Sequence, residues 1–173
     1  MNGTNSFTQG LSGVMKPWEN GDYDSALERL EKLREAWPGN ARLLVWWAHL
    51  VQLQDEPTHD LNEAKRALQQ AVELDTHAPV AAIELGYFLD NVKDDPQAAT
   101  KAFAQAITAA RLALIDGLLG QAKTLLQLDR REDAIRCLVE AHRLADAEAP
   151  TKKARFASRI EELFKELGQM QSV

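Results

Sequence analysis

Residues 21–33 read GDYDSALERLEKL, and their arrangement of small and large apolar residues returns three times further along the chain. The anchor of each copy is an alanine, and successive anchors are 38, 35 and 35 residues apart. A large apolar residue follows each anchor four positions on, and a small or apolar residue follows at seven. This spacing places all three residues on one face of a helix. The four anchors are Ala26, Ala64, Ala99 and Ala134.

A second amphipathic helix is predicted ahead of each of the last three copies. Residues 41–54, 79–91 and 113–128 carry apolar residues at i, i+3, i+4 and i+7, the pattern of a helix with one buried stripe. Proline, glycine and acidic residues fall between the helical stretches, where turns are expected. No segment alternates in the manner of a strand. The sequence therefore predicts an all-α protein.

The repeat resembles the tetratricopeptide family, whose unit is a helix–turn–helix of about 34 residues. The likeness is strongest in residues 21–26 and in the ending Trp37-Pro38-Gly39-Asn40, and it extends over residues 15–146. It implies an α-solenoid of antiparallel helix pairs, wound as a right-handed superhelix. The second repeat carries about four extra residues near 56–60, which should lengthen the turn between its helices.

The resemblance divides the chain into repeats and two different ends. Residues 1–14 are expected to be flexible or weakly helical, because Gly10, Gly13 and Pro17 oppose a full first helix. A C-terminal capping helix is expected to shield the last repeat, with an apolar stripe of Phe156, Ile160, Leu163, Phe164 and Leu167. The predicted segments are repeats 15–40, 41–78, 79–112 and 113–149 within 15–149, the cap at 150–168 and a tail at 169–173.

Composition and charge indicate which classes of ligand the protein is expected to bind and where it is expected to occur. The chain has 173 residues, of which 45% are hydrophobic and 27% charged, and its formal net charge of −6 disfavours nucleic acid. No unbroken apolar run approaches the roughly 18 residues of a membrane span, and residues 1–10 lack the charge and apolar stretch of a secretory signal. The single cysteine, Cys137, excludes an internal disulfide. These features predict a cytoplasmic protein that binds neither nucleic acid nor membrane.

Catalytic and metal-binding constellations are not recognisable. The four histidines lack the clustered spacing of metal ligands, and Cys137 lies in an apolar helical pattern without a basic partner nearby in sequence. Neither a calcium loop nor a phosphate-binding glycine loop is found. The sequence therefore predicts no enzyme activity and no cofactor. A basic cluster at Lys152, Lys153, Arg155 and Arg159 has two readings, a solvated helix face or a patch for an acidic partner.

The family resemblance implies a concave groove lined by the first helix of each repeat. Residues one turn away from the buried stripe would then face a partner, and an extended or helical peptide with apolar side chains is the expected ligand. Tryptophan and tyrosine are typical anchors of such interfaces. The residues expected to line the groove are Arg42, Val45, Trp46, His49, Leu53, Val80, Ile83, Glu84, Tyr87, Asn91, Asp116, Leu119 and Lys123.

The predicted function is a scaffold or adaptor that binds a peptide or helix of another protein, since stacked repeats form extended binding surfaces. The alternative is a chaperone-like or inhibitory protein, of antitoxin or immunity type, with a single client. A second surface is expected at the N-terminal repeat. If residues 5–18 cover Leu27, Leu30 and Leu33 poorly, the exposed apolar patch would favour a homo-oligomer.

Overall fold

The protein is all-helical, as the sequence predicts. The structure, a computed structural model, describes residues 3–55 and 57–169, and the side chains of residues 7–55 and 57–168. Eight helices and no strand occur in these ranges. The helices are α1 (Gly3–Glu19), α2 (Tyr23–Ala36), α3 (Ala41–Gln52), α4 (Leu61–Leu74), α5 (Pro79–Asn91), α6 (Pro96–Gln127), α7 (Arg131–Asp146) and α8 (Pro150–Gln169). Residues 170–173 of the predicted tail, and Met1 and Asn2, lie outside the described residues.

The chain divides into two compact units, Met1–Ile107 and Thr108–Val173. In unit 1, consecutive helices from α1 to α5 pack on each other, and α3 also contacts α5. Turns of three to eight residues join these neighbours, so the pairs are antiparallel. The alanine anchors Ala26, Ala64 and Ala99 are buried in this core, where a small side chain lets helix backbones come close. The helix-pair architecture expected from the repeats is therefore confirmed.

Unit 2 has its own core. The C-terminal part of α6 contributes Ile115, Leu119 and Ala122, α7 contributes the fourth anchor, Ala134, and α8 contributes Phe156. Helix α8 packs on α7, as expected of a capping helix. Such a helix shields apolar surface that the last repeat would otherwise expose to water.

Side-chain caps fix where three helices of unit 1 begin. The carboxylate of Asp22 accepts a hydrogen bond from the Ser25 N–H at 3.1 Å, and Asn40 caps α3 in the same way. Asp60 and Glu63 form a reciprocal capping box at the start of α4. The backbone N–H of Glu63 lowers the pKa of Asp60, so this contribution to stability is present above the unfolded-state pKa and lost as the pH falls through the folded one.

The first helix is longer than the sequence predicts. The segment expected to be flexible or weakly helical forms most of α1, a helix of 17 residues that continues past a buried Pro17. Tertiary packing overrides the poor helix propensity of its glycines. A Cβ at Gly10 would lie 2.7 Å from Leu33 Cδ1, so glycine permits the close approach of α1 to α2.

The apolar patch expected at the N-terminal repeat is absent from the described side chains of α2. Leu27, Leu30 and Leu33 are all buried, because α1 packs along α2 and covers them. A homo-oligomer formed through this patch therefore loses its structural basis.

The turn expected between the third and fourth repeats does not form. The predicted boundary at 112/113 falls inside α6, which continues for 32 residues. The reason is local composition: residues 107–116 read ITAARLALID, with no glycine or proline, and alanine, leucine and arginine are strong helix formers. Earlier repeats end instead at Pro38-Gly39 or just before Pro79.

Among the described residues, α6 is also the one helix that is long and apolar enough, by length and composition alone, to cross a membrane. One 18-residue window has a mean hydropathy of 1.4, and the helix is long enough to cross a membrane, although no unbroken apolar run of that length occurs in the sequence. A third of the window is buried inside the protein. Length and composition do not separate a membrane span from a core helix, and one such helix alone is weak evidence for a span.

The close approach of α5 to α6 at Gly86 gives a first prediction. A Cβ at this position would lie 2.6 Å from the ring of Phe103, whereas a Cβ at Gly13 would meet nothing within 4 Å. We expect Gly86→Ala to lower the free energy of unfolding by about 1–2 kcal/mol, because overpacking outweighs the better helix propensity of alanine. Gly13→Ala, in the same unit, should raise it by up to about 1 kcal/mol. Urea denaturation measures both, and a stabilised Gly86→Ala variant would contradict the contact.

Candidate functional site

The groove residues predicted for the second and third repeats come from α3 and α5, which contact each other in unit 1. Nine of them are at least partly accessible: eight lie on these two helices, and Leu53 directly follows α3. We call this surface the α3–α5 face. Its exposed members are Arg42, Leu53, Val80, Tyr87 and Asn91, and its half-buried members are Trp46, His49, Ile83 and Glu84.

Two predicted groove residues belong to the core instead. Val45 is 5% exposed and Leu119 only 1%. Helix α3 is packed by α2, α4 and α5, so its buried arc is wider than one stripe and includes Val45. Leu119 lies in the buried stripe of α6 with Ile115 and Ala122, at i−4 and i+3. Neither side chain offers an exposed anchor to a partner.

A cleft lies between the N-terminal ends of α3 and α5. It has a volume of about 520 Å³, which is within the range of sites that take small molecules or a few side chains. Four predicted residues line it, with Val45 contributing to its wall from the core. Other lining residues come from α3, from the turn after α4 and from α5. The complete lining is Ala41, Arg42, Val45, Trp46, Asp75, Ala78, Val80 and Ala81.

A polar contact joins α3 to α5 on the same face. His49 Nε2 lies 2.8 Å from Glu84 Oε2, and both side chains are roughly one-third exposed. The pair crosses from one repeat to the next, so it ties together the two helices that carry the face. Partial exposure limits its energetic contribution, because solvent screens such pairs.

Trp46 is a half-buried wall of the cleft and not a free anchor. Its ring meets the ring of Trp18 edge to face, with centroids 6.1 Å apart. The Arg42 guanidinium lies 6.0 Å from the centre of the Trp46 ring, at the limit of a cation–π contact. An aromatic ring held on two sides presents a preformed apolar surface, which lowers the entropic cost of binding.

Two exposed apolar residues stand on the outer face of α5. Val80 is 56% exposed and Tyr87 53%. They are seven residues apart, which is about 10 Å along the helix axis. The Tyr87 ring contacts Phe103 edge to face at 5.2 Å between centroids, so its orientation is fixed although its surface is open.

The remaining predicted residues lie in unit 2. Lys123 is exposed. Asp116 is ion-paired with Arg155 and Arg159 of α8, and Lys153 pairs with Asp146. The hydrogen bond from Lys153 lowers the pKa of Asp146. Three of the four residues of the basic cluster are therefore ion-paired with carboxylates of this chain. This pairing favours a structural role of the cluster over the binding of an acidic partner.

One polar cluster that joins three helices of unit 1 was not predicted from the sequence. Glu31 Oε1 accepts a hydrogen bond from Trp47 Nε1 at 3.2 Å and lies 2.7 Å from His59 Nε2. The Arg34 guanidinium lies over the Trp47 ring at 4.4 Å. His59 also approaches Glu63 through Nδ1. The cluster joins α2, α3 and α4 with the long turn that precedes α4. The four extra residues were the available signal, but their partner on α2 is 28 residues away in sequence.

The described residues offer little that indicates a catalytic or metal-binding site. No group of three or more histidine, cysteine or acidic residues in the described ranges is arranged to hold a metal ion. Cys137 is half-buried, and its Sγ lies 3.5 Å from Gln121 Oε1.

Comparison with known proteins points to the same architecture. No family model and no curated protein matches the chain. Among solved structures, it is similar to a MamA fragment described as 41-end from Desulfovibrio magneticus RS-1, with a TM-score of 0.53 and 24% identity over 63% of this chain. That alignment spans 59% of the MamA chain, which is less than two thirds of its length. A crystal structure of the MamA protein aligns over 98% of this chain and 93% of its own length, with a TM-score of 0.52 and 20% identity. Likeness at these identities concerns the fold alone, and it supports a tetratricopeptide-like helical repeat.

Proposed function

We propose that the protein is a non-catalytic scaffold that binds a segment of another protein on the α3–α5 face. The observation that carries the proposal is the cleft between α3 and α5, continued along α5 by two exposed apolar side chains, Val80 and Tyr87. Large apolar side chains left open beside a preformed cleft are typical of interaction surfaces.

The arrangement of the face suits a peptide better than a small polar ligand. Its polar groups, Arg42, His49 and Glu84, lie around an apolar middle, as in interfaces with a polar rim. Tyr87 is held by the Phe103 ring and can serve as a rigid anchor, while Trp46, held by the Trp18 ring, forms a rigid apolar wall of the cleft.

The experiment is a selection of 16-residue peptides from a displayed random library against the full chain, followed by titration of a selected peptide. The test variant is Val80→Ala with Tyr87→Ala, since both residues are exposed and their truncation leaves the core intact. We expect its Kd to rise by at least about tenfold, which is a loss of about 1.4 kcal/mol.

The matched control is Ile135→Ala with Val139→Ala, an exposed apolar pair on α7 in unit 2. It removes a similar apolar surface elsewhere and should change the Kd by less than about twofold. Selected peptides that bind both double variants as tightly as the unchanged protein would refute the α3–α5 face as the binding site. Titration with full-length proteins that contain the selected segments would separate the two functions. An adaptor should bind several unrelated proteins, whereas the chaperone-like or inhibitory alternative should bind a single client.

A further inference from the structure

The negative charge of the protein is concentrated in unit 1. Residues 1–107 hold nine lysines and arginines against 16 aspartates and glutamates, whereas the rest of the chain holds 11 against ten. The formal charge of −6 therefore arises from −7 in unit 1 and +1 in unit 2. The unit that carries the α3–α5 face is the acidic one.

Carboxylates follow the apolar residues of that face. Asp75 lines the cleft and is exposed, with one oxygen accepting a hydrogen bond from the Ala78 N–H at 3.1 Å. Glu84 lies on α5 between Val80 and Tyr87. Asp90 is one turn beyond Tyr87, is exposed, and forms no ion pair within the described part of the chain. Glu84 and Asp90 thus flank the apolar stripe of α5, and Asp75 lies at the cleft next to its N-terminal end.

The cations of the same face balance this charge only in part. Arg42 lies beside the Trp46 ring, and His49 is the partner of Glu84. Lys93, which follows α5, donates to Asn62 and lies over Phe88, so it is directed away from the carboxylates. The outer side of α5 therefore presents uncompensated negative charge next to apolar surface.

The hydrogen-bonding requirement of the ligand's backbone favours a helical ligand. A helix surface such as α5 offers no free backbone N–H or C=O groups, which an extended peptide would need to replace its bonds to water. A helical ligand satisfies its own backbone and can lay an apolar stripe with i, i+3/i+4, i+7 spacing along Val80, Ile83 and Tyr87.

We propose that the partner segment is a basic amphipathic helix. Its apolar stripe packs on the α3–α5 cleft and on the outer face of α5, and its lysines or arginines approach Asp75, Glu84 and Asp90. This inference rests on the proposed function and specifies the chemistry of the ligand. Exposed ion pairs add little affinity each, but an acidic surface steers a basic ligand and raises its association rate in a salt-dependent way.

The probes are two synthetic 18-residue peptides with the same leucine stripe. One carries lysine at every position of its polar face and the other glutamate at the same positions. Fluorescence anisotropy at about 50 mM and about 200 mM NaCl gives Kd for the full chain. We expect the lysine peptide to bind at least about tenfold more tightly at low salt, and the difference to shrink at high salt. Equal or tighter binding of the glutamate peptide would overturn the inference.

Two triple variants of equal net charge localise the effect. Asp75→Asn, Glu84→Gln and Asp90→Asn remove the carboxylates of the face, and the preference for the lysine peptide should fall to about twofold or less. Glu19→Gln, Asp24→Asn and Glu28→Gln, on exposed positions of α1 and α2, should leave most of the preference. Equal loss in both variants would mean general attraction to an acidic unit, and the inference would fail.

The outcomes also separate this inference from the proposed function. If neither designed peptide binds, but library peptides bind and lose affinity with Val80→Ala and Tyr87→Ala, the basic-helix inference is wrong and the binding face remains. If the lysine peptide binds that double variant unchanged, the location of the binding site is itself wrong.

Discussion

Replacing Phe156 with alanine is expected to lower the free energy of unfolding of unit 2 by about 3–5 kcal/mol. Phe156 is fully buried, and it is the largest completely buried side chain in the described part of the chain. It fills the core that α8 shares with α7 and the C-terminal part of α6. Its truncation removes apolar contacts and leaves a cavity that the surrounding helices can fill only in part.

Phe164 provides the control, because it lies on the same helix and is 40% exposed. Phe164→Ala should cost about 1 kcal/mol or less, since much of its ring is already in water. Urea denaturation followed by circular dichroism measures both variants. Equal losses for the two would show that α8 does not cap unit 2 through Phe156.

Trp47→Ala is the second substitution expected to have a large effect, at about 3–5 kcal/mol of the stability of unit 1. The indole is 5% exposed and packs against Arg34 and His59. Its Nε1–H also donates to Glu31, so the substitution removes a hydrogen bond between α2 and α3 as well as apolar surface.

Trp47→Phe separates the two contributions. Phenylalanine keeps most of the apolar volume but lacks the donor, so it should lose less stability than alanine, at about 1–3 kcal/mol. Thermal unfolding monitored at 222 nm is the measurement. A Trp47→Ala variant as stable as the unchanged protein would contradict the placement of Trp47 in the core.

The neighbouring tryptophans show how far the sequence could be interpreted. Adjacent residues of a helix point in different directions, and Trp47 lies on the buried side of α3. Helical phase predicts Trp46 as a groove anchor, whereas the ring is half-buried against Trp18. That contact comes from α1, which the sequence predicted as weak, so the exposure of Trp46 could not be derived from α3 alone.

The fold was largely predictable because it depends on local periodicity. The alanine anchors and the helix caps are signals within a few residues of where they act. The failures involve competition between local signals and tertiary packing. Gly10 opposes α1 by propensity but permits its packing on Leu33, and residues 107–116 simply lack the residues that end a helix.

The site was less predictable, because exposure depends on how many helices surround a residue. Val45 has the phase of a groove residue, but three helices pack on α3 and bury it. Phe164 shows the opposite error, since it was expected in the apolar stripe of the cap and is partly exposed. The Glu31–His59 contact joins residues from different repeats, and such a pairing leaves no mark in a single repeat unit.

The uninterrupted course of α6 limits how the protein can be dissected. The two units meet in sequence between Ile107 and Thr108, and both residues lie within this helix. A fragment that stops at Ile107 would end with four backbone carbonyls deprived of their intrahelical donors, and the complementary fragment would begin with unpaired N–H groups. Neither half can be expressed with a natural helix terminus at the junction. A separately produced unit would therefore need several residues of its neighbour, or an added cap, before its stability could be compared with that of the intact chain.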